Sequence, residues 1–253
     1  MSSAQVTIVT PVYNSIKYIR DSIQSVVNQT FENWEMILVD DFSSDGSLEL
    51  ITNIAKIEKR LKIIQNKKNE GSGISRNKAI KLAKGKYIAF LDSDDLWHKD
   101  KLKIQIGLME KNSWSFSHTS YGYISERGKK IKSTFHVSDY PVKYSNLLKR
   151  TEISCLTAIY NQRMLGKCYM SEHRRKQDYS LWLSILKKGV SSHPINLELA
   201  YYRQRPDSAT SKKSALILNH VKFLMETQSM NFFQALYYTF YWMINGFIRY
   251  FIK

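Results

Sequence analysis

Cysteine is scarce, with only Cys155 and Cys168 in 253 residues. Two thiols cannot make a disulfide framework or a four-thiolate metal site, and they read as free thiols of a reducing compartment. A leader is also missing: Met1 to Gln5 carries neither a basic patch nor an apolar stretch, so no export is implied and the cytosol is the simplest expectation. No internal repeat, low-complexity stretch or Pro/Gly linker separates independent domains. Acidic residues are few, 22 Asp and Glu against 38 Lys and Arg, which leaves a net charge of +16 with histidine neutral. Such an excess calls for an anionic partner: nucleic acid, acidic lipid or a phosphorylated small molecule. Charge alone does not choose among them, and the scattered lysines between Lys56 and Lys86 suit a solvated surface. At 43% hydrophobic and 13% aromatic, the chain buries a sizeable core rather than staying disordered.

The first ninety residues alternate strand and helix signals. Val6 to Thr10, Met36 to Val39, Leu61 to Ile64 and Tyr87 to Leu91 are short apolar runs that predict strands. Between them, Ile16, Ile19, Ile23, Val26 and Val27 recur at helical spacing, with Asn14 or Ser15 placed to cap. Further helices follow Ser47 and Gly73, the second ended by Gly85. Apolar strands alternating with helices predict an α/β fold with a parallel sheet covered on both faces, and a ligand crevice beyond the strands' carboxyl ends. After Asp95 the pattern turns α+β. A helix is predicted over Lys99 to Lys111 and a hairpin over Trp114 to Ile124 and Ile131 to Val137. Strands are predicted at Ile153 to Tyr160 and Leu197 to Tyr202, and a helix over Asp178 to Lys188.

The chemistry gathers at the strand ends. Asp92-Ser93-Asp94-Asp95 follows the fourth strand, and three carboxylates so close repel unless a cation or donors offset them. Magnesium or manganese, with oxygen ligands, fits and would neutralise a departing nucleoside diphosphate; the same residues can also form a surface turn that caps the next helix. Tyr13 ends the first strand, where its ring could stack on a nucleobase or pack on the helix. Asp40 to Ser47 offers acceptors for a base N–H as well as helix caps. Gly71 and Gly73 allow close backbone approach to phosphate, and Arg76 on the following turn can reach it.

Together, Thr10-Pro11-Val12-Tyr13-Asn14, Val39-Asp40-Asp41 through Ser47, Gly71 through Asn77, and Asp92-Ser93-Asp94-Asp95-Leu96-Trp97 resemble the inverting family 2 glycosyltransferases of the GT-A fold, over about residues 5 to 205. The resemblance implies a Rossmann-like, mostly parallel sheet and a nucleotide-diphosphate-sugar donor, UDP being the family's commonest. It puts Pro11, Tyr13, Asp41, Arg76, Asp92 and Ser93 around the donor, with Tyr13 on the base, Asp41 accepting its N–H and Arg76 on the diphosphate. Asp92-Ser93-Asp94 becomes the DxD element, with Asp94 the direct ligand of Mn2+ or Mg2+ and Asp92 nearer the ribose or a water. The family's general-base motif, Glu-Asp then tyrosine and tryptophan, is matched by Gln177-Asp178-Tyr179-Ser180-Leu181-Trp182 with Gln177 in the glutamate's place. Asp178 is then the base, although its place at a helix start also suits a cap. Arg203 and Arg205, in the segment from Tyr202 to Ser211, and His173 before the base are candidate diphosphate or acceptor-phosphate contacts.

From Phe232 to Ile252 the sole formal charge is Arg249. Phe232, Leu236, Phe240, Met243, Phe247 and Phe251 fall on one helical face, while Gln234, Tyr238, Tyr241, Asn245 and Arg249 fall on another. That pattern predicts an amphipathic helix on an anionic membrane surface, against the alternatives of packing on the protein and of a true span. The chain therefore divides into a donor half (1–98), an acceptor half carrying the base (99–212) and a membrane-associating tail (213–253). The leading expectation is a hexosyltransferase acting on a lipid-linked glycan in O-antigen or capsule assembly, peripheral on the inner face of the cell membrane and binding no nucleic acid. Nucleotidyl transfer at the same metal site is the competing enzyme class, and a basic nucleic-acid-binding protein the non-enzymatic one.

Overall fold

A computed structural model of the chain describes residues 4–171, 173, 176–205 and 216–251. Its first half alternates β1 (Val6–Val12), α1 (Ile19–Val27), β2 (Trp34–Asp40), α2 (Ser47–Ile57), β3 (Leu61–Gln65), α3 (Ser72–Leu82) and β4 (Tyr87–Phe90). These strands pair in parallel, β3 on β2, β2 on β1 and β1 on β4. Side chains alternate between two cores: Ile8, Met36 and Leu38 meet α1 and α4 on one face, while Val9, Ile37 and Val39 meet α3 and α7 on the other. The chain runs outward from β1 to β3 and then returns to β1's other side, so a switch point opens where β1 and β4 end.

The second half comprises β5 (Leu96–Trp97), α4 (Lys101–Lys111), β6 (Phe116–Ile124), β7 (Lys130–Phe135), α5 (Tyr144–Lys149), β8 (Ile159–Asn161), α6 (Gln162–Leu165), α7 (Gln177–Leu186) and β9 (His193–Arg203). It extends the same sheet to nine strands in the order β3-β2-β1-β4-β8-β6-β9-β5, with β7 against β6. Here β6 and β9 are parallel, whereas β8, β7 and β5 pair antiparallel, so parallelism is concentrated in the first four strands. The tail is two helices, α8 (Leu216–Gln228) and α9 (Phe232–Phe251).

Two local expectations are corrected. Ile153 to Tyr160 is not one strand: Cys155–Thr157 forms a 3-10 turn, and β8 covers only Ile159–Asn161. The reason is in the carbonyls, because Leu156 O accepts from Trp97 Nε1 at 2.8 Å and Thr157 O accepts from Lys101 Nζ and Gln105 Nε2, which leaves neither for a ladder. Nor do Asn14 and Ser15 cap α1, which begins at Ile19 without a side-chain cap. Their polar atoms instead tie the loop after β1 to the loop after β2: Ser44 N donates to Asn14 Oδ1 at 2.9 Å, and Ser15 N donates to Ser47 Oγ at 2.8 Å.

Candidate active site

The ends of β1, β2 and β4 share one rim, with Val12 and Asp40 in register. Tyr13 stands at that rim, 51% exposed, and Phe42 after β2 is 56% exposed with a positive φ of 67°. Pro11 lies buried inside β1, in register with Val39 of β2.

Asp41 is buried, and its carboxylate accepts from Asn66 Nδ2 at 2.7 Å, Glu70 N at 2.9 Å and Gly71 N at 2.7 Å. It fastens the glycine loop before α3, so the expected donor contact and a structural role converge on one side chain. Gly71 adopts φ 91°, a conformation that glycine takes without strain. Gly73 lies against Gln177, whose side chain also accepts a hydrogen bond from Ser72 Oγ at 3.1 Å. The residue in the glutamate's place therefore joins the start of α3 to the start of α7.

Arg76 is 7% exposed and pairs with Asp92. Burial works against its charge, yet Asp92 and Asp178 more than offset it and push the guanidinium's pKa up. Arg76 thus sits between the strand-end cluster and the candidate base, an ion partner in a place where a diphosphate contact was expected. Asp178, on the first turn of α7, is half-buried. Its pKa is raised by burial and by Asp92, while Arg76 and the Tyr179 N–H, 2.8 Å from Oδ1, act to lower it.

Around the cluster, Ser93 Oγ lies 2.7 Å from Ser15 Oγ. Burial and the neighbouring Asp92 raise the pKa of Asp94, whose Oδ2 lies 2.8 Å from Arg205 Nε. Asp95 turns inward and accepts from Arg203 N at 2.8 Å. Arg203 donates from Nε to Asp94 O at 2.7 Å and from Nη1 to Glu126 O at 2.6 Å, so it braces the cluster from β9. The guanidinium carbons of Arg203 and Arg205 lie 5.2 and 5.6 Å from the ring centre of Tyr18, whose hydroxyl donates to Glu126. His173 is exposed, and no polar contact ties it to the cluster among the described residues. The segment from Pro206 to Ser211 lies outside them.

No group of three or more His, Cys, Asp or Glu side chains poised for a metal occurs among the described residues. The crowded Asp92 and Asp94, with Asp94's charged form penalised by both burial and its neighbour, fit a divalent ion that brings its other ligands from substrate phosphates and water. Ser15, Tyr18 and Glu126 were not expected here. Ser15 and Ser93 are 78 residues apart and Tyr18 and Glu126 are 108 apart, so no local spacing announces them.

Solved structures share this architecture. TarS of S. aureus, residues 1–349 in complex with UDP-GlcNAc, superposes with a TM-score of 0.74 at 22% identity, covering 89% of this chain and 66% of that one. The mannosyltransferase PcManGT from Pyrobaculum calidifontis, in complex with GDP-Man and Mn2+, gives 0.62 at 16% identity over 89% of this chain and 63% of its own. The fold is GT-A, mixed α/β with the acidic cluster at its switch point. A family model described as glycosyl transferase family 2 matches residues 7–169, and the chain belongs to that family.

Among curated relatives, the putative teichuronic acid biosynthesis glycosyltransferase TuaG of Bacillus subtilis is 39% identical over 208 residues, 82% of each chain. The Escherichia coli UDP-Glc:alpha-D-GlcNAc-diphosphoundecaprenol beta-1,3-glucosyltransferases WfgD and WfaP are 37% and 34% identical, covering 84% and 96% of this chain and 82% and 94% of their own lengths. Family membership makes the chain a glycosyltransferase and sets aside the nucleotidyltransferase and nucleic-acid-binding readings.

Proposed function

We propose that the protein is an inverting, metal-dependent hexosyltransferase that moves a sugar from a UDP-sugar to a hydroxyl of a polyprenyl-diphosphate-linked glycan, in assembly of a bacterial surface polysaccharide such as O-antigen or capsule. The observation that carries this reading is the Asp178 carboxylate at the start of α7, near enough to the Arg76–Asp92 ion pair for both charges to act on its pKa. Residues 1–98 hold the donor and residues 99–212 the acceptor. Tyr13 supports the base, and Asp41 holds the glycine loop against the diphosphate. In the displacement, the bond from the anomeric carbon to the diphosphate oxygen breaks as the bond to the acceptor oxygen forms, and Asp178 takes the hydroxyl proton. Asp94, with Asp92, would hold Mn2+ or Mg2+, which would supply charge neutralisation for the leaving nucleoside diphosphate.

The tail supports work at the cytoplasmic face of a membrane. Among the described residues no helix is long and apolar enough to cross one. Yet α9 leaves Phe232, Phe233, Leu236, Phe240, Phe247 and Ile248 exposed, and the chain is strongly basic.

Transfer from labelled UDP-glucose or UDP-GlcNAc to a synthetic GlcNAc-diphosphoryl lipid, with and without Mn2+, tests the reading. Asp178→Asn is expected to lose at least about 100-fold in rate while still binding UDP by calorimetry, and Asp94→Asn to lose the response to metal. Full activity of Asp178→Asn overturns the assignment of the base.

A further inference from the structure

Lys176 immediately precedes α7, and its backbone lies in the left-handed region at φ 56°, ψ 32°, with no side-chain cap. A lysine held there needs surroundings that over-determine it. They come from the tail. Lys176 Nζ hydrogen-bonds His220 Nδ1 of α8, lies 4.8 Å from the ring centre of Trp242 on α9, and lies 5.5 Å from that of Phe223 on α8. The His220 ring stacks on Trp242 with centroids 4.3 Å apart and planes 25° apart.

Burial and the Lys176 charge push His220 down to about 3, so a neutral ring is available to accept. Burial pushes Lys176 down to about 8, with Asp178 acting against the fall, so the ammonium persists at neutral pH. The same wall continues along α7. Tyr179 stacks on Phe223 at 5.5 Å, and its hydroxyl donates to Leu147 O at 3.0 Å. Lys176 O accepts the Ser180 N–H at 2.9 Å, so the lysine's backbone is also part of the turn that carries Asp178.

The geometry points to Lys176 as a positioning residue for Asp178, caged by His220 and Trp242 so that the tail hairpin sets the stance of the base helix. This inference rests on Asp178 being the base. Releasing the cage frees the left-handed residue to relax, and the first turn of α7 moves with it. A misplacement of about 1 Å at a reacting group can cost about 100-fold in rate. The tail then acts on chemistry as well as on attachment: whatever tilts α8 and α9 is felt at the base.

The test uses the full chain in detergent micelles, which removes the membrane from the comparison. Amide hydrogen exchange is followed in peptides spanning 176–186 and, as an internal reference, β1 and α3. Steady-state transfer is measured alongside. Trp242→Ala and His220→Ala are expected to raise exchange over the first turn of α7 and lower kcat by roughly 10- to 100-fold, with donor KM and UDP affinity within about twofold. Trp242→Phe, which keeps a ring beside the ammonium, restores both. Should the alanine variants fail to fold, His220→Gln is expected to give a smaller change of the same pattern. Unchanged exchange over α7, or raised exchange with wild-type kcat, overturns the proposal, as does a fall in UDP affinity that matches the fall in kcat. Asp178→Asn separates the two readings: it is expected to lose transfer without altering exchange, and its full activity would sink the base assignment while leaving the exchange result on the cage to stand.

Discussion

Lys101 is fully buried, with no carboxylate partner among the described residues. Its Nζ is 2.6 Å from Gln105 Oε1 and 3.2 Å from Thr157 O. Burial pushes it down to about 7, against about 10.4 for a free lysine. Between those values the unfolded chain binds a proton that the native chain lacks, so stability rises with pH across that window and is lower below it. Lys101→Met is expected to flatten this slope and to be more stable than the parent at neutral pH, measured by denaturant unfolding from pH 6 to about 10. Asp178 titrates with the opposite consequence for activity. Its pKa is raised chiefly by burial, and only the carboxylate can act as base, so the acid limb of kcat/KM is expected above the ordinary aspartate value of about 3.9. A limb at or below that value would contradict that shift. At this scale the sequence was informative where functional groups are contiguous, as in Asp92-Ser93-Asp94 or Gln177-Asp178. It named Arg203 as a candidate phosphate contact but was silent about its bond to the Asp94 carbonyl, which spans 109 residues.

The elements of the first half were legible because β1 and β2 are mostly apolar and buried throughout, and α1 carries a one-sided apolar stripe, two signals that agree. Past Asp95 that agreement ends. The two-residue β5 pairs with β9, and β8 pairs for three residues with β4 and two with β6, too short for any periodicity to show. The β8 region reads in the sequence as a longer strand, but side chains from α4 and β5 claim its carbonyls and cut it short. Gly85, between α3 and β4, marks where elements close tightly: a Cβ there would lie 2.5 Å from the Thr7 backbone nitrogen of β1. Gly85→Ala must push α3 or β1 aside and is expected to cost about 1–3 kcal/mol, read as a lowered denaturation midpoint with unchanged slope. The helical tail was legible as amphipathic, but its orientation was not. The face that meets the protein lies between the two stripes and overlaps the polar one only at its edge: Ala235 and Thr239 are buried, Trp242 Nε1 donates to Thr151 Oγ1 at 2.8 Å, and Asn245 Nδ2 donates to Lys149 O at 3.1 Å, while Gln234 and Tyr241 stay exposed.

For the molecule as a whole, this docking leaves the broad aromatic face of α9 outward, with Phe233 80% exposed. Phe233→Asp, Phe240→Asp and Phe247→Asp together are expected to abolish sedimentation with anionic phospholipid vesicles while UDP affinity stays as in the parent. Retained vesicle binding would move attachment to another surface. Lys149, whose Nζ lies 5.0 Å from the Tyr241 ring centre, stands beside this face, where on the proposed attachment it would meet lipid phosphate.

The length of α9 has one more consequence. Twenty residues make a rod of about 30 Å, and a rod lying along a surface is held along a line rather than at a point. Because α9 packs on α5 and α8, and α5 on α7, the proposed membrane attachment would fix the altitude of Asp178 above the lipid. An enzyme mounted this way would gauge its acceptor by height as well as by the sugar at its tip. Glycans one residue too short or too long would present their hydroxyl below or above the working level, and chain length itself would become a selected property.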